Sequence, residues 1–372
     1  NFKNYFELRF DKPFTYNATW SDSKLSKGNL EQKDAHVGAV IGFKTKKGET
    51  VHIKVASSFI SAEQAALNLT RELGNDSFTA TMQKGQTAWN QELGRLTVDG
   101  GTDAQIRTFY SCLYRALLVP HMFYKFNAQN KVVHYSTYNG QVLPGYMFTD
   151  NGFWDTFRSA IPFFTLMYPT LNSQIMEGLV NAYKESGFLP EWASPGHRDC
   201  MIGSNSASLI ADSYIKGIRG YDINTLYEAI LKNTENAGPV NSVGRFGHEY
   251  YNELGYVPYD VKINENAART LEYAYADFCI WELAKSLKRP ESEIALFAKR
   301  NQNYRNLFDP QTKLMRGKNK AGDFQKPFNP YKWGDAFTEG NSWHYTWSVF
   351  HDINGLSKLM GGNAAFAQKL DS

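Results

Sequence analysis

The sequence predicts an α+β multidomain protein in which a β-sandwich domain precedes a toroid of paired helices. Alternating apolar and polar residues, typical of strands, fill much of residues 1–60. Helical periodicity dominates the rest of the chain. Aromatic loops separate alternate pairs of these helices, which is the pattern of antiparallel helical hairpins arranged in a ring.

Three segments near the N-terminus have the pattern of strands. Phe6 to Phe10 and Val51 to Ile60 alternate apolar and polar residues, and His36 to Phe43 is a run rich in Val, Ile and Gly. The segment 46–49 supplies a turn before the last strand. So few strands make a poor sandwich, and we therefore expect this domain to be incomplete.

The helices begin with two capping boxes. Residues 61–64 begin a helix that runs to Leu73, and residues 102–105 begin one that ends before Pro120. Further helices are expected near 153–168, 172–186, 205–219, 222–235, 264–288, 291–307 and 341–360. These are too many for a four-helix bundle, and no fixed repeat indicates a solenoid. The predicted division is therefore a partial sandwich over 1–74, linker helices over 75–120 and a helical barrel over 121–372.

Composition excludes several classes of partner. The chain has 40 Lys and Arg against 37 Asp and Glu, a net charge of +3, so we expect no nucleic-acid partner. No apolar run reaches the roughly 18 residues of a membrane-spanning helix. The 3 cysteines include no Cys-x-x-Cys pair, so neither a zinc site nor a disulfide framework is expected. Cys112 and Cys279 are predicted to be buried.

Four loop segments, at 149–158, 187–192, 198–205 and 337–347, combine aromatic rings with carboxylates and amides. Each lies at an end of a predicted helix, and in a helical toroid such loops converge on one mouth of the barrel. Rings stack on sugars, while carboxylates and amides bind hydroxyls, so this mouth would suit a neutral polyhydroxylated ligand. The phosphate-binding motif GxxxxGK[ST] is absent.

These segments resemble glycoside hydrolase family 92, the exo-acting, calcium-dependent α-mannosidases. The resemblance extends over nearly the whole chain. It rests on Trp-Asp-Thr-Phe-Arg at 154–158, on the 187–192 loop, on Met-Ile-Gly at 201–203 and above all on Phe-Thr-Glu-Gly-Asn at 337–341. It implies a β-sandwich joined to an (α/α)6-type toroid, and hydrolysis of terminal α-mannosides of mannose-rich glycans with inversion.

The resemblance also implies roles for particular residues. Glu339 matches the general acid of the family, and Trp154 and Asp155 match residues that hold the terminal mannose. Further substrate contacts are expected from Arg158, Trp192, His197, Asn341 and Trp343. A general acid must be protonated near neutral pH, which apolar surroundings favour. The aromatic residues Phe337, Trp343 and Trp347 lie close to Glu339 in sequence and are expected to supply them.

Two motifs of the family are missing. The general base lies in a downstream Gly-Asn-Asp-Asp-type motif, and a Gly-Asn-Glu-Pro-type motif helps to bind calcium, and this sequence contains neither. We therefore expect a middle segment of a longer enzyme, with the toroid incomplete at its C-terminus and the base and most calcium ligands outside this chain. In addition, His344 and Asn205 stand where many relatives have Gln and His. Family membership further implies a periplasmic, cell-surface or secreted protein.

Other interpretations remain open. Glu339 has the position of a solvated glutamate at a helix start, Trp154 of a core residue, and Arg158 of an ion-pair partner. A different toroid enzyme, such as a phosphorylase, trehalase-like hydrolase or lyase, would fit the same loops. A glycan-binding protein without catalysis would keep the aromatic residues as well. Release of free mannose and loss of activity with a chelator would distinguish the mannosidase.

Overall fold

The computed structural model describes residues 3–371. The chain divides into two compact units, one reaching Val98 and including Asn127–Asn130, the other formed by Asp99–Phe126 and the chain from Lys131 onward. Strands near the N-terminus are followed by a mainly helical remainder. This confirms the mixed α and β class, whereas the sandwich, the toroid and the three-part domain division stay predictions.

The first unit contains two small antiparallel sheets. In one, β1 (Tyr5–Phe10) pairs with β5 (Ile53–Ser58), and Tyr5 lies opposite Ser58. In the other, β2 (Tyr16–Ser21) lies between β3 (Lys24–Lys27) and β4 (Val37–Gly42). The hairpin of β2 and β3 was missing from the prediction. Its turn residues Asp22 and Ser23 both have positive φ, as a tight two-residue hairpin turn requires.

Two helices complete the first unit. They are α1 (Ala62–Glu72), which packs against β1 and β5, and α2 (Phe78–Leu93). The Ser61 hydroxyl accepts a hydrogen bond from the N–H of Gln64, so the predicted start of α1 is confirmed.

The second unit is built from helices joined by short strands. Its helices are α3 (Asp103–Ala116), α4 (Phe153–Thr156), α5 (Ala160–Met167), α6 (Pro169–Ser186), α7 (Ser206–Ile215), α8 (Ile223–Glu235), α9 (His248–Leu254), α10 (Asn266–Ser286), α11 (Glu291–Arg300), α12 (Ser342–Thr346), α13 (Ile353–Met360) and α14 (Asn363–Leu370), with a 3-10 helix at Asn303–Leu307. Its strands are β6 (His121–Met122), β7 (Lys125–Phe126), β8 (Val132–Tyr135), β9 (Val142–Pro144), β10 (Phe148–Thr149), β11 (Asn151–Gly152), β12 (Trp192–Ala193), β13 (Phe308–Asp309) and β14 (Leu314–Met315).

Helix α10 lies at the centre of the second unit. It packs against α7 and α11, and residues on all of its faces are buried. Ile280 belongs to the main apolar cluster of the unit, whereas Leu271 belongs to a second cluster with Phe337 and Tyr345. A helix buried all round is held by packing rather than by its own propensity.

Three predicted helices are broken. The segment 153–168 forms α4 and α5, the segment 291–307 forms α11 and the 3-10 helix, and the segment 341–360 forms α12 and α13. The break in 341–360 has a clear cause, because the side chain of Asp352 accepts a hydrogen bond from the N–H of Gly355 and so begins a new helix.

Two of the cysteines differ in burial. Cys279 is buried in α10, as predicted, but Cys112 is exposed, so that prediction is wrong. On α3 Leu113 is buried, whereas the neighbouring Cys112 lies on the exposed side of the helix. Within the described part of the chain, we find no helix with the length and apolar character needed to cross a bilayer.

Candidate active site

The loop 334–340 is closed by a hydrogen bond between its two ends and is fixed to two helices. The N–H of Gly334 donates to the carbonyl of Gly340 over 2.8 Å. The carbonyls of residues 335 and 336 accept hydrogen bonds from the N–H groups of Glu265 and Ala268, at the start of α10. The hydroxyl of Tyr345, on α12, donates to the carbonyl of Thr338 over 2.8 Å. These hydrogen bonds therefore hold the backbone around position 339 in place.

Glu339 is exposed and has a φ of 46°, in the left-handed region that L-residues rarely occupy. Within the described residues, its carboxylate has no hydrogen-bond or ion-pair partner. A strained backbone that presents an unpaired acidic group is typical of a functional position.

The predicted apolar surroundings of Glu339 need correction. Phe337 stacks on Tyr345, with ring centroids 5.3 Å apart. Trp343 stacks on Tyr331, and Trp347 meets Phe366 edge to face. Each of these rings thus contacts another aromatic ring, whereas Glu339 is exposed to solvent.

Trp154 is held by a buried carboxylate. The indole Nε1–H donates to Oε1 of Glu272 over 3.1 Å, and the amide of Asn205 lies 3.5 Å from the other oxygen. Glu272 is only 4% exposed, and burial raises the pKa of its carboxyl, opposed by the positive charge of Arg158. Its charge also acts on Tyr345, which binds the loop of Glu339. Glu272 thus connects three of the four loop segments.

Glu272→Leu should lower the free energy of unfolding by about 1–3 kcal/mol, because the buried indole N–H of Trp154 would lose its acceptor. Glu272→Gln keeps an acceptor oxygen and should cost less. Urea denaturation of the two variants measures the difference. Equal losses would show that the bond to Trp154 contributes little.

Asp155 and Arg158 both lie on the exposed side of this region. Asp155 is in the first turn of α4, and its carboxylate has no side-chain partner within the described residues. Arg158 forms no ion pair there, contrary to the alternative interpretation, and its guanidinium lies 4.5 Å from the ring centroid of Trp154. It also borders a cavity of about 370 Å³ with Tyr275 and Phe350.

A second buried carboxylate, Glu191, lies in the 187–192 loop. It accepts hydrogen bonds from the N–H of Ser206 over 2.9 Å and from the Ser206 hydroxyl over 2.6 Å. These bonds hold the loop against the start of α7. Burial raises the pKa of Glu191 to about 8 despite the opposing hydrogen bonds from Ser206, so the neutral carboxyl predominates near pH 7.

The raised pKa of Glu191 predicts a fall in stability with pH. The folded protein binds this proton more tightly than the unfolded chain, where a glutamate keeps its ordinary pKa of 4.5, so the free energy of unfolding should fall between about pH 5 and pH 8. Glu191→Gln mimics the neutral carboxyl. Its stability should match that of the wild type at pH 5 and exceed it at about pH 8.5, as measured by urea denaturation. The same pH slope in both proteins would contradict this assignment.

Trp192 and His197 are both half-buried. The ring of Trp192 packs directly over Gly152 on the paired strand, where an added Cβ would lie 2.4 Å from the ring. His197 contacts Tyr138 at a tilt of 53°, with ring centroids 4.8 Å apart. Both of its ring nitrogens are buried without a hydrogen-bond partner among the described residues, and burial lowers its pKa to about 4. The imidazole is therefore neutral at physiological pH.

Asn341 and Trp343 begin α12. The side-chain oxygen of Asn341 accepts hydrogen bonds from the N–H groups of Trp343 and His344, and so caps the helix. Trp343 stacks on Tyr331, and the ammonium of Lys369 lies 4.1 Å from its ring centroid. Both residues thus have structural contacts, and their predicted contacts with substrate stay predictions.

Sequence patterns alone do not identify Glu191 and Glu272 as site residues. Glu191 lies in a segment that was singled out, but its burial could not be inferred from its neighbours. Glu272 belongs to no motif. The available signal was a glutamate between Leu271 and Tyr273 in a long predicted helix. A glutamate that is buried in such a place is almost always paired.

An exposed acid, buried carboxylates and an indole ring held in place are groups that a glycoside hydrolase uses, and comparison with known families assigns the chain to that class. The family model described as the glycosyl hydrolase family 92 catalytic domain matches residues 64–372, and the model of the family 92 N-terminal domain matches residues 1–58. The chain belongs to glycosyl hydrolase family 92, as its motifs predicted.

Solved structures agree with this family. The chain is similar to the family GH92 inverting mannosidase BT2199 from Bacteroides thetaiotaomicron VPI-5482, with a TM-score of 0.97 and 47% identity over 100% of this chain and 50% of that one. It is also similar to the α-mannosidase BT3965 from the same species, solved with mannoimidazole, with a TM-score of 0.87 and 30% identity over 99% of this chain and 49% of that one.

A further relative is described as an uncharacterized secreted glycosidase from Arthroderma benhamiae. It is 29% identical over 86% of this chain and 41% of its own length. The chain therefore spans about half the length, or less, of the relatives it matches. The comparisons do not bear out the expectation that it is a middle segment.

Proposed function

We propose that the complete encoded protein is an exo-acting α-mannosidase that hydrolyses terminal α-mannosides of mannose-rich glycans with inversion. The observation that carries the proposal is the exposed, unpaired Glu339 on a rigid loop of a family 92 chain. Similarity to an inverting mannosidase at 47% identity supports the substrate and the stereochemistry.

In this mechanism Glu339 is the general acid. It donates a proton to the oxygen that leaves with the rest of the glycan, while a carboxylate base activates water on the opposite face of the sugar. The two carboxyl groups of inverting enzymes lie roughly 6.5–9.5 Å apart, which leaves room for that water. The strained backbone of Glu339 costs about 1–3 kcal/mol and fixes where its side chain leaves the loop.

The terminal mannose would be held by Trp154, Asp155 and Arg158. The hydrogen bond from Trp154 to Glu272 fixes the indole ring as a stacking surface. The unpaired carboxylate of Asp155 is free to accept hydrogen bonds from sugar hydroxyls, and the guanidinium of Arg158 to donate them. Four further residues are proposed to act further from the reacting bond, because each already has protein contacts. They are Trp192, His197, Asn341 and Trp343.

Calcium dependence stays a prediction from the family. Among residues 3–371, no three His, Cys, Asp or Glu side chains lie close enough together to hold a metal ion. We assign no step of the reaction to the ion.

Export to a periplasm, the cell surface or the medium is part of the same proposal. It is supported by the relative that is described as a secreted glycosidase.

The test is incubation of the complete protein with mannobioses of each linkage and with a mannose-rich N-glycan. We expect release of free mannose, seen first as the β-anomer by proton NMR because the reaction inverts the anomeric centre. Initial release of the α-anomer would contradict inversion, and no release from any α-mannoside would overturn the proposed function.

A further inference from the structure

Two exposed aromatic side chains precede the loop of Glu339, and no role described so far uses them. Trp333 is 64% exposed and Tyr331 is 69% exposed, although large aromatic residues usually bury most of their surface. Trp333 is followed directly by Gly334, whose N–H donates to the carbonyl of Gly340. This bond brings the two ends of the loop together, so the backbone of Trp333 lies beside that of Glu339.

Both rings are supported by residues of α12. Trp333 meets the imidazole of His344 edge to face, with ring centroids 5.7 Å apart and an interplanar angle of 82°. Tyr331 stacks on Trp343, with centroids 6.3 Å apart and an angle of 24°. Each ring thus has a defined orientation while most of its surface remains in contact with water. Such fixed, flat and exposed surfaces are suited to stacking on a ligand.

The same segment lines a cavity of about 240 Å³ whose polar groups include Lys326, Lys332 and Asp335 together with the amides of Gln325 and Asn329. The ammonium of Lys332 lies 2.6 Å from Oδ2 of Asp335, and the amide of Gln325 donates to that oxygen over 3.3 Å. Donors and acceptors therefore occur together, as the hydroxyls of a neutral sugar require. A cluster of one charge sign would instead favour an ionic ligand.

We propose that Trp333 and Tyr331 form an aromatic platform for the sugar on the leaving-group side of the scissile bond. The inference rests on the proposed function, because it takes Glu339 as the group that protonates the departing oxygen. The sugar attached to that oxygen must lie close to the loop 334–340. Trp333 is the exposed ring next to the closed end of this loop. The cavity beside it offers hydrogen-bond partners for the sugar hydroxyls.

The platform is tested by comparing two substrates of the complete protein. One is the mannobiose that the wild type cleaves fastest, and the other is α-mannosyl fluoride, whose leaving group is too small to reach the platform. For Trp333→Ala, the ratio of kcat/KM on mannobiose to kcat/KM on the fluoride should fall at least about tenfold, mainly through KM. Tyr331→Ala should lower it less, and Trp333→Phe should restore part of the loss.

Phe78→Ala is the matched control, because Phe78 is an exposed aromatic residue on α2 in the other unit. It should leave the ratio unchanged. If Trp333→Ala lowers kcat/KM equally on both substrates, or leaves mannobiose kinetics unchanged, the platform is overturned. If the wild type cleaves neither substrate, the proposed function fails, and the platform fails with it. Wild-type turnover therefore separates the two failures.

Discussion

Glu339→Gln should lower kcat on unactivated mannobiose by about 10²–10⁴-fold, the usual contribution of a general acid. The amide has the shape of the carboxyl group but cannot donate the proton that the departing sugar oxygen needs. α-Mannosyl fluoride should lose far less activity, because fluoride leaves without protonation. Steady-state kinetics of the complete protein on both substrates measures the two losses, and KM for mannobiose should change little.

The control for this prediction is Glu291→Gln, which neutralises an exposed glutamate at the start of α11 in the same unit. It should have no effect on either substrate. Undiminished turnover of mannobiose by Glu339→Gln would show that another residue is the acid. An equal loss on both substrates would show that position 339 acts on the shape of the site rather than on the leaving group.

Arg245→Met should reduce the free energy of unfolding by about 3–5 kcal/mol. Arg245 and Asp277 are both fully buried, with Nη2 of the arginine 2.7 Å from Oδ1 of the aspartate. The other oxygen of Asp277 accepts a hydrogen bond from Tyr251 over 2.9 Å. Removal of the arginine would leave a buried negative charge without its cation. Urea denaturation at pH 7 measures the loss.

Two further variants isolate the charge effect. Arg245→Met combined with Asp277→Leu removes both charges and should recover much of the stability lost in the single variant. Lys285→Ala breaks a solvent-exposed ion pair with Glu282 and should cost no more than about 1 kcal/mol. The ion-pair explanation would be contradicted if the double variant lost as much stability as Arg245→Met alone and Asp277→Leu alone lose together.

Short-range signals in the sequence predicted the local structure well. The boxes at Thr102 and Ser61 begin α3 and α1, and the side chain of Asp222 caps α8 by accepting the N–H of Thr225. Each of these depends on residues three positions apart. The β2–β3 hairpin was missed because it depends on two residues with positive φ, Asp22 and Ser23, and neither is a glycine.

The exposed residues of the candidate site belong to motifs that the sequence shows, whereas its buried residues do not. The motif around Glu339 could be identified from adjacent residues, and the comparisons confirm the family it indicated. The bond between Trp154 and Glu272 joins residues 118 positions apart, so no local pattern reports it. The exposure of Glu339 was likewise not predicted, because the sequence does not show that the neighbouring rings contact other aromatic residues instead.

One helix determines the spacing between the proposed acid and the proposed mannose-binding ring. The first turn of α10 binds the carbonyls of residues 335 and 336, and Glu272 in the middle of the same helix binds Trp154. A displacement of α10 would consequently carry both groups together and preserve their separation. Directed changes of glycan selectivity can therefore be sought in the surrounding loops, with α10 kept as an invariant frame.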